Sequence, residues 1–304
     1  MYRIRIVDRR EAVAVEPLGS KPKFWFREGE RRLLFKGEDR GTGEDWAEVV
    51  ASELCKLLGL PHVVYELAEE FEGERFIRPG VVCENMAPPP ASLILGNQLL
   101  FEADPDYTSQ QRFKVRAYTV AAVAGVLQRL ELPDELWIQS VPFKPKSALE
   151  VFVGYIMLDA WIANQDRHHE NWAALRGQAL RLAPTFDHGA GLARNVTDDE
   201  RRERLTTKDS HRTIAVFAAK ARSAFYSDSA PQRTLTTAAT FREFAKLAGN
   251  GAQNWLNRLA MIELDAIQQI LDEVPDKRMS NLTKTFTFEL LKLNRRELIK
   301  DIAS

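Results

Sequence analysis

The sequence predicts an α+β fold of two lobes, a small sheet-rich one followed by a larger, mostly helical one. Three observations carry this. Up to about residue 86, apolar residues recur with period two in short runs, interrupted by a single helical stretch over residues 43–59. From residue 92 onward the apolar spacing is mostly that of helices. Between the two regimes stands Pro88-Pro89-Pro90, which continues neither element, so the division falls at residue 90, giving units 1–90 and 91–304.

The chain of 304 residues and 34.6 kDa, 45% hydrophobic, is long enough to build a substantial core without staples. Its net charge of -1 and pI near 6.6 lack the basic footprint of a dedicated nucleic-acid binder, so no direct nucleic-acid contact is expected. Two cysteines, Cys55 and Cys83, stand in no metal-type spacing. Reduced thiols, an N-terminus without a signal-peptide core, and no apolar run of membrane-spanning length together predict a cytoplasmic protein with no membrane contact.

In order, residues 2–7 and 12–16 read as strands, and the Gly19-Ser20-Lys21-Pro22-Lys23 segment breaks the pattern before strands at 24–27 and 32–36. The last of these ends in Lys36. Residues 43–59 form a helix with Glu44 and Asp45 at its positive end, apolar residues at helical spacing and Gly59 as terminator. Glu48 lies on it, between Glu44 and Glu53. Two further strands, 62–71 and 75–86, complete a small sheet. Residues 91–100 are ambiguous, 112–130 read as an amphipathic helix and 147–164 as an apolar, buried one. A hairpin turning at Gly177 follows, then helices near 213–225, 238–247, 253–273 and 283–302.

The polar loop after the apolar helix carries Asp166 and Asn171 five residues apart, and beyond the hairpin comes Asp187-His188-Gly189. Phosphoryl transfer from a nucleotide uses an aspartate at the attacking hydroxyl, with an asparagine and a second aspartate holding divalent metal on the phosphates. The order and spacing of these three residues match that need. A strand lysine at the α and β phosphates, steadied by a helix glutamate, is the other half of such a site, and Lys36 and Glu48 are placed for it. The segment Gly19, Ser20, Lys21 and Lys23 would cover the phosphates, although it holds a single glycine. The strand end at Glu84 to Met86 is where an adenine ring would dock on backbone groups. His168, His169 and His188 cluster near the two motifs, but without helical i, i+4 spacing or a cysteine a zinc site is disfavoured.

Lys36, the run Gly43-Glu44-Asp45-Trp46-Ala47-Glu48, the helix end Leu58-Gly59-Leu60-Pro61-His62, and the Asp166-Arg167-His168 order with its histidine after the aspartate together resemble the HipA-like serine/threonine kinases in a short form. The match runs over roughly residues 15 to 195. The resemblance implies a protein-kinase-like fold of the HipA and phosphoinositide-kinase-like type, ATP and Mg2+ as cofactors, Asp166 as catalytic residue, and Asn171 and Asp187 on the metal. His168 reads as a support of the loop, and Arg167 either as a second support or as a phosphoryl-binding group. The resemblance further implies autophosphorylation in the phosphate-covering loop, for which Ser20 is the candidate. A toxin role, a protein substrate such as an aminoacyl-tRNA synthetase or another translation factor, and a small antitoxin partner follow from it as well. A lipid or small-molecule kinase shares the reversed loop and stays open as an alternative, as does a pseudokinase that only binds a partner. The cluster Lys208, His211, Arg212, Lys220 and Arg222 falls where kinases present protein substrates, but reads first as a solvated helix face.

Overall fold

A computed structural model describes residues 1–16, 21–228 and 232–300. The small lobe is a six-stranded sheet with one helix. Its elements are β1 (Arg5–Asp8), β2 (Ala14–Val15), β3 (Lys23–Glu28), β4 (Arg31–Gly37), α1 (Glu44–Leu58), β5 (Tyr65–Glu72) and β6 (Arg75–Glu84), in the spatial order β1-β5-β6-β4-β3-β2. All neighbours are antiparallel except β1 and β5. Alternation along β4 sorts its side chains. Leu33 and Phe35 join Phe24, Phe26 and Val82 in a cluster on one face, while Leu34 and Lys36 turn to the other.

The larger lobe begins with β7 (Ser92–Leu95), α2 (Gly96–Ala103), α3 (Val120–Leu127), α4 (Glu135–Ile138) and α5 (Ala148–Trp161), followed by β8 (Ala173–Arg176) and β9 (Leu180–Leu182). It continues with α6 (Asp198–Thr206), α7 (Ile214–Ala219), β10 (Arg222–Tyr226), β11 (Thr234–Thr236), α8 (Thr237–Ala245), α9 (Gly251–Ala260), α10 (Leu264–Asp272) and α11 (Asn281–Ile299). Every residue of α5 except Glu150 is buried, which explains its apolar surface on all sides. Ser147 caps it by accepting the Glu150 N–H. The strands β7, β8 and β9 form a short antiparallel sheet that meets the small lobe.

Several expectations are corrected. The helix expected over 112–130 is confined to Val120–Leu127, because Thr119 caps it by accepting the Ala122 N–H and the preceding residues turn aside, Lys114 having a φ of 59°. The segment 213–225 divides into α7 and the strand β10, which pairs with β11. The segment 253–273 divides into α9 and α10, with Glu263 extended between them. The ambiguous 91–100 stretch is a strand and then a helix, joined at Gly96, where a Cβ would meet the Trp172 ring at 2.2 Å.

Gly154 on α5 is a second close approach: a Cβ there would lie 2.6 Å from Trp255 of α9 and 2.7 Å from Leu60. Overpacking of this kind costs about 1–3 kcal/mol. Gly154→Ala should therefore lower the unfolding free energy by that amount, read from the urea midpoint at constant slope.

Candidate active site

Lys36 is 7% exposed. Its Nζ donates to Glu48 Oε1 and to Asp187 Oδ1, both at 2.6 Å. The sequence left Glu44 and Glu53 beside Glu48; the structure brings Glu48 to the lysine, whereas Glu44 pairs with Lys21 and Arg194, and Glu53 with Lys56. The second oxygen of Glu48 accepts the His188 backbone N–H at 2.8 Å. One carboxylate on α1 thus holds both the strand lysine and the Asp187-His188-Gly189 segment. Gly189 permits this contact, since a Cβ there would come within 3.3 Å of the Glu44 carbonyl and of Glu48 Cγ.

Asp187 is positioned from both lobes. Residues 61–63, just past α1, bridge to Thr185 through Val63 N to Thr185 O at 3.0 Å and Thr185 N to Pro61 O at 2.9 Å. Two residues later Asp187 adopts φ 60° and its N–H donates to Tyr65 Oη at 3.3 Å. Burial works to raise its pKa, but the ammonium of Lys36, helped by Lys23 and Lys21, holds it well below the usual carboxylate range. Burial likewise works to lower Lys36, and Asp187 and Glu48 outweigh it, so the lysine stays charged.

The loop that bears Asp166 is fixed from beneath by Arg167. This guanidinium, 1% exposed, donates to both oxygens of Asp159 at 2.7 and 2.9 Å, to Asn171 O at 2.6 Å and to Thr185 Oγ1 at 3.0 Å. Thr185 Oγ1 in turn lies 2.8 Å from His188 Nε2. Asn171 Nδ2 closes the loop by donating to Asp166 O at 2.6 Å. His168 is offered two N–H groups, from Glu170 N at Nδ1 and from Arg112 Nε at Nε2. A neutral imidazole accepts only one of them, and burial with the Arg112 charge keeps the ring neutral by pushing its pKa down to about 3. Burial also lowers His169 and His188, and the three rings have separate partners: Arg112 or Glu170, Tyr107 Oη and Thr185. Among the described residues no group of three or more His, Cys, Asp or Glu side chains is gathered for a metal.

Asp166, with its side chain 37% exposed, borders a cleft of about 340 Å³ together with Lys21, Lys23, Arg40, Arg112 and Asp187. Burial pushes its carboxyl up to about 6, with Asp187 adding to the effect and Arg112 opposing it. Asp187 and Asn171 offer a carboxylate and an amide oxygen, hard donors that suit Mg2+ when phosphates and water supply the remaining ligands. Behind the cleft an apolar cluster joins the lobes. Tyr65, Cys83, Leu34 and Met86 meet Leu93, Ala173, Leu175 and Ala183 there. Glu84 turns outward instead and pairs with Arg31 at 3.2 Å. Gly19 and Ser20 lie outside the described residues.

Sequence reasoning missed Tyr65, Asp159, Arg112 and Arg194. Asp159 sits eight residues before Arg167 and was concealed within an apolar helix, where a lone buried acid was itself the signal.

No protein-family model matches the sequence, and no curated protein matches it. Among solved structures, a Helicobacter pylori proinflammatory kinase, CtkA, superposes with a TM-score of 0.71 at 18% identity over 99% of this chain and 96% of its own. HipA of a Shewanella oneidensis MR-1 toxin-antitoxin system, solved with HipB and operator DNA, superposes with a TM-score of 0.59 at 13% identity, over 95% of this chain and 67% of its own. The chain therefore has the two-lobed, HipA-like kinase fold, with a curled sheet in the small lobe and a helical large lobe.

Two measurements probe this geometry. A carbon-13 NMR titration of the nucleotide-free protein should place the Asp166 carboxyl near about 6, and Arg112→Gln should raise it by removing an opposing cation. Arg167→Met should destabilise the protein by about 3–5 kcal/mol in chemical denaturation, because it strands the buried Asp159 carboxylate without a partner.

Proposed function

We propose that the chain is an ATP- and Mg2+-dependent serine/threonine protein kinase of the HipA-like type. The single observation that carries this is the junction of Lys36 with both Glu48 and Asp187, in one cleft with Asp166. A lysine held charged by a helix carboxylate on one side and by an aspartate of the large lobe on the other is arranged to receive phosphates at its remaining donor.

In this reading Asp166 orients the acceptor hydroxyl and takes its proton, Lys36 holds the α and β phosphates, and Lys21 and Lys23 add positive charge over them. Asn171 and Asp187 hold Mg2+, which supplies neutralisation of the charge spread over the phosphoryl oxygens. Leu34, Cys83, Met86, Leu93 and Leu175, which belong to one apolar cluster beside the backbone of residues 84–86, would receive the adenine. Glu84 contributes its backbone alone, since its side chain is turned outward. Arg167 and His168 act by holding the loop, without touching substrate. Catalysis then comes from position and from charge, each group being anchored before substrate arrives.

The proposal extends, by likeness to HipA, to a toxin that phosphorylates a translation component such as an aminoacyl-tRNA synthetase and is restrained by a small antitoxin. It also extends to autophosphorylation at Ser20, beside Lys21 in the sequence. Added charge of about -1.5 to -2 there would compete for the cations that meet the nucleotide.

Incubation of the purified protein with labelled Mg-ATP and a bacterial extract tests the whole reading. Label should appear on protein serine or threonine, and Asp166→Asn should reduce it by about 10²- to 10⁴-fold. Lys36→Met and Asp187→Asn should also abolish transfer while far-ultraviolet circular dichroism is unchanged. A fully active Asp187→Asn protein would remove the metal assignment, and phosphopeptides lacking Ser20 would remove that site.

A further inference from the structure

Asp166 borders two depressions. One is the cleft already described. The other, of about 220 Å³, runs between the 112–118 segment and β10, and Arg112, Lys114, Gln165 and Thr234 border it along with Asp166. Beyond Gln165 a third depression of about 250 Å³ passes the end of α7, bordered by Ala190, Arg204 and Lys220. The wall between the first strip and β10 is built by backbone, with Tyr226 N donating to Tyr118 O at 2.9 Å.

Two arginines of this strip already have acids, Arg112 with Glu170 at 3.5 Å and Arg204 with Glu200 at 2.6 Å, whereas among the described residues its lysines do not. Asp166 is the only carboxylate bordering the second and third depressions among the described residues. The exposed ammonium groups of Lys114 and Lys220 have no hydrogen bond or ion pair among the described residues. Arg222, whose backbone N–H meets Gln165 Oε1 at 3.4 Å, directs its Nε to the hydroxyl of Thr234 instead of to an acid. Lys114 is held at φ 59°, a conformation a lysine seldom adopts, and such outliers gather at binding sites. A second observation is independent of charge. His169 borders the second depression, is 1% exposed, and its Nε2 has no hydrogen-bond partner although Tyr107 Oη engages Nδ1 at 2.7 Å. Buried polar atoms are rarely left in this condition unless something else completes them.

We infer that this strip binds the acceptor as a polypeptide segment in which aspartate or glutamate side chains flank the hydroxyl-bearing residue. The inference rests on the kinase reading and names its substrate class. The hydroxyl goes to Asp166, and flanking carboxylates meet Lys114 on one side and Lys220, past Gln165, on the other. Complementary charge of this sort selects partners and weakens with salt. A single-stranded nucleic acid fits less well, because stacking faces are needed and Phe113, 58% exposed, is the one large exposed ring on this strip among the described residues.

The test uses serine peptides of one length with glutamate, alanine or lysine flanks, assayed with Mg-ATP for kcat/KM. Anisotropy of a labelled glutamate-flanked peptide whose serine is replaced by alanine runs alongside. The glutamate set should be preferred, its binding should weaken as salt rises, and the Lys114→Glu, Lys220→Glu double variant should lower the glutamate-to-lysine ratio by about tenfold or more. Equal transfer to all three sets overturns the inference and leaves the kinase reading standing. Binding of the acidic peptide with no transfer to any peptide overturns the kinase reading instead, and absence of both overturns both. An oligoribonucleotide that displaces the peptide at lower concentration also overturns the inference.

Discussion

A charged lysine in a nearly closed site is the constraint on which the rest depends. An ammonium at the depth of Lys36 is costly unless opposite charges are brought to it, and the two that serve come from distant parts of the chain, Glu48 from α1 and Asp187 from the far lobe. Satisfying it therefore fixes α1 against β4 and both against the Asp187 segment. The bridge of residues 61–63 to Thr185 and the close seating of Gly189 on α1 are the backbone consequences. Lobe geometry and site geometry are, in this respect, one problem with one solution.

The same logic governs the loop of Asp166. The sequence leaves Arg167 open between loop support and phosphoryl binding, and its five donors are directed inward, to Asp159, Asn171, Thr185 and Phe186. Buried at that depth, it can fix the loop only because α5 delivers a carboxylate at its last turn. A helix whose one buried acid stands near its end thus makes sense as an anchor. Asp166 itself stays part exposed at the rim, where its carboxyl, raised by burial and by Asp187, retains the basicity that proton transfer from a hydroxyl uses.

Much of this was legible from the amino acids. Period-two runs, one helix ending at Gly59, and the spacing of Asp166, Asn171 and Asp187 were enough for two lobes and for the fold, which the structural neighbours share. The choice of Glu48 over Glu44 and Glu53 was a matter of three-dimensional approach, since all three sit on the same short helix. What periodicity concealed was local. Residues 112–119 have helical spacing because Val115 and Tyr118 are buried, yet Tyr118 is held by the Asp166 loop and by β10, so tertiary packing overrode propensity. Where a helix and a strand abut, as at α7 and β10, hydrophobic pattern has no way to mark the change. Tyr65 and Arg194 joined the site from elements whose own sequence carries no motif.

The two oxygens of Glu48 have different clients, the ammonium of Lys36 and the backbone N–H of His188. A slide of α1 by a fraction of a turn breaks both bonds together, so the phosphate-facing lysine and the Asp187 segment lose their support as a unit. The helix is in this sense a coincidence detector: the site is assembled only when α1 is home. Linkage makes the relation mutual: packing that holds α1 in place favours the assembled site, and the assembled site holds α1 by the same free energy. Twelve of the fifteen residues of α1 are buried, so the seat of the helix, and with it the site, is set by the elements packed around it.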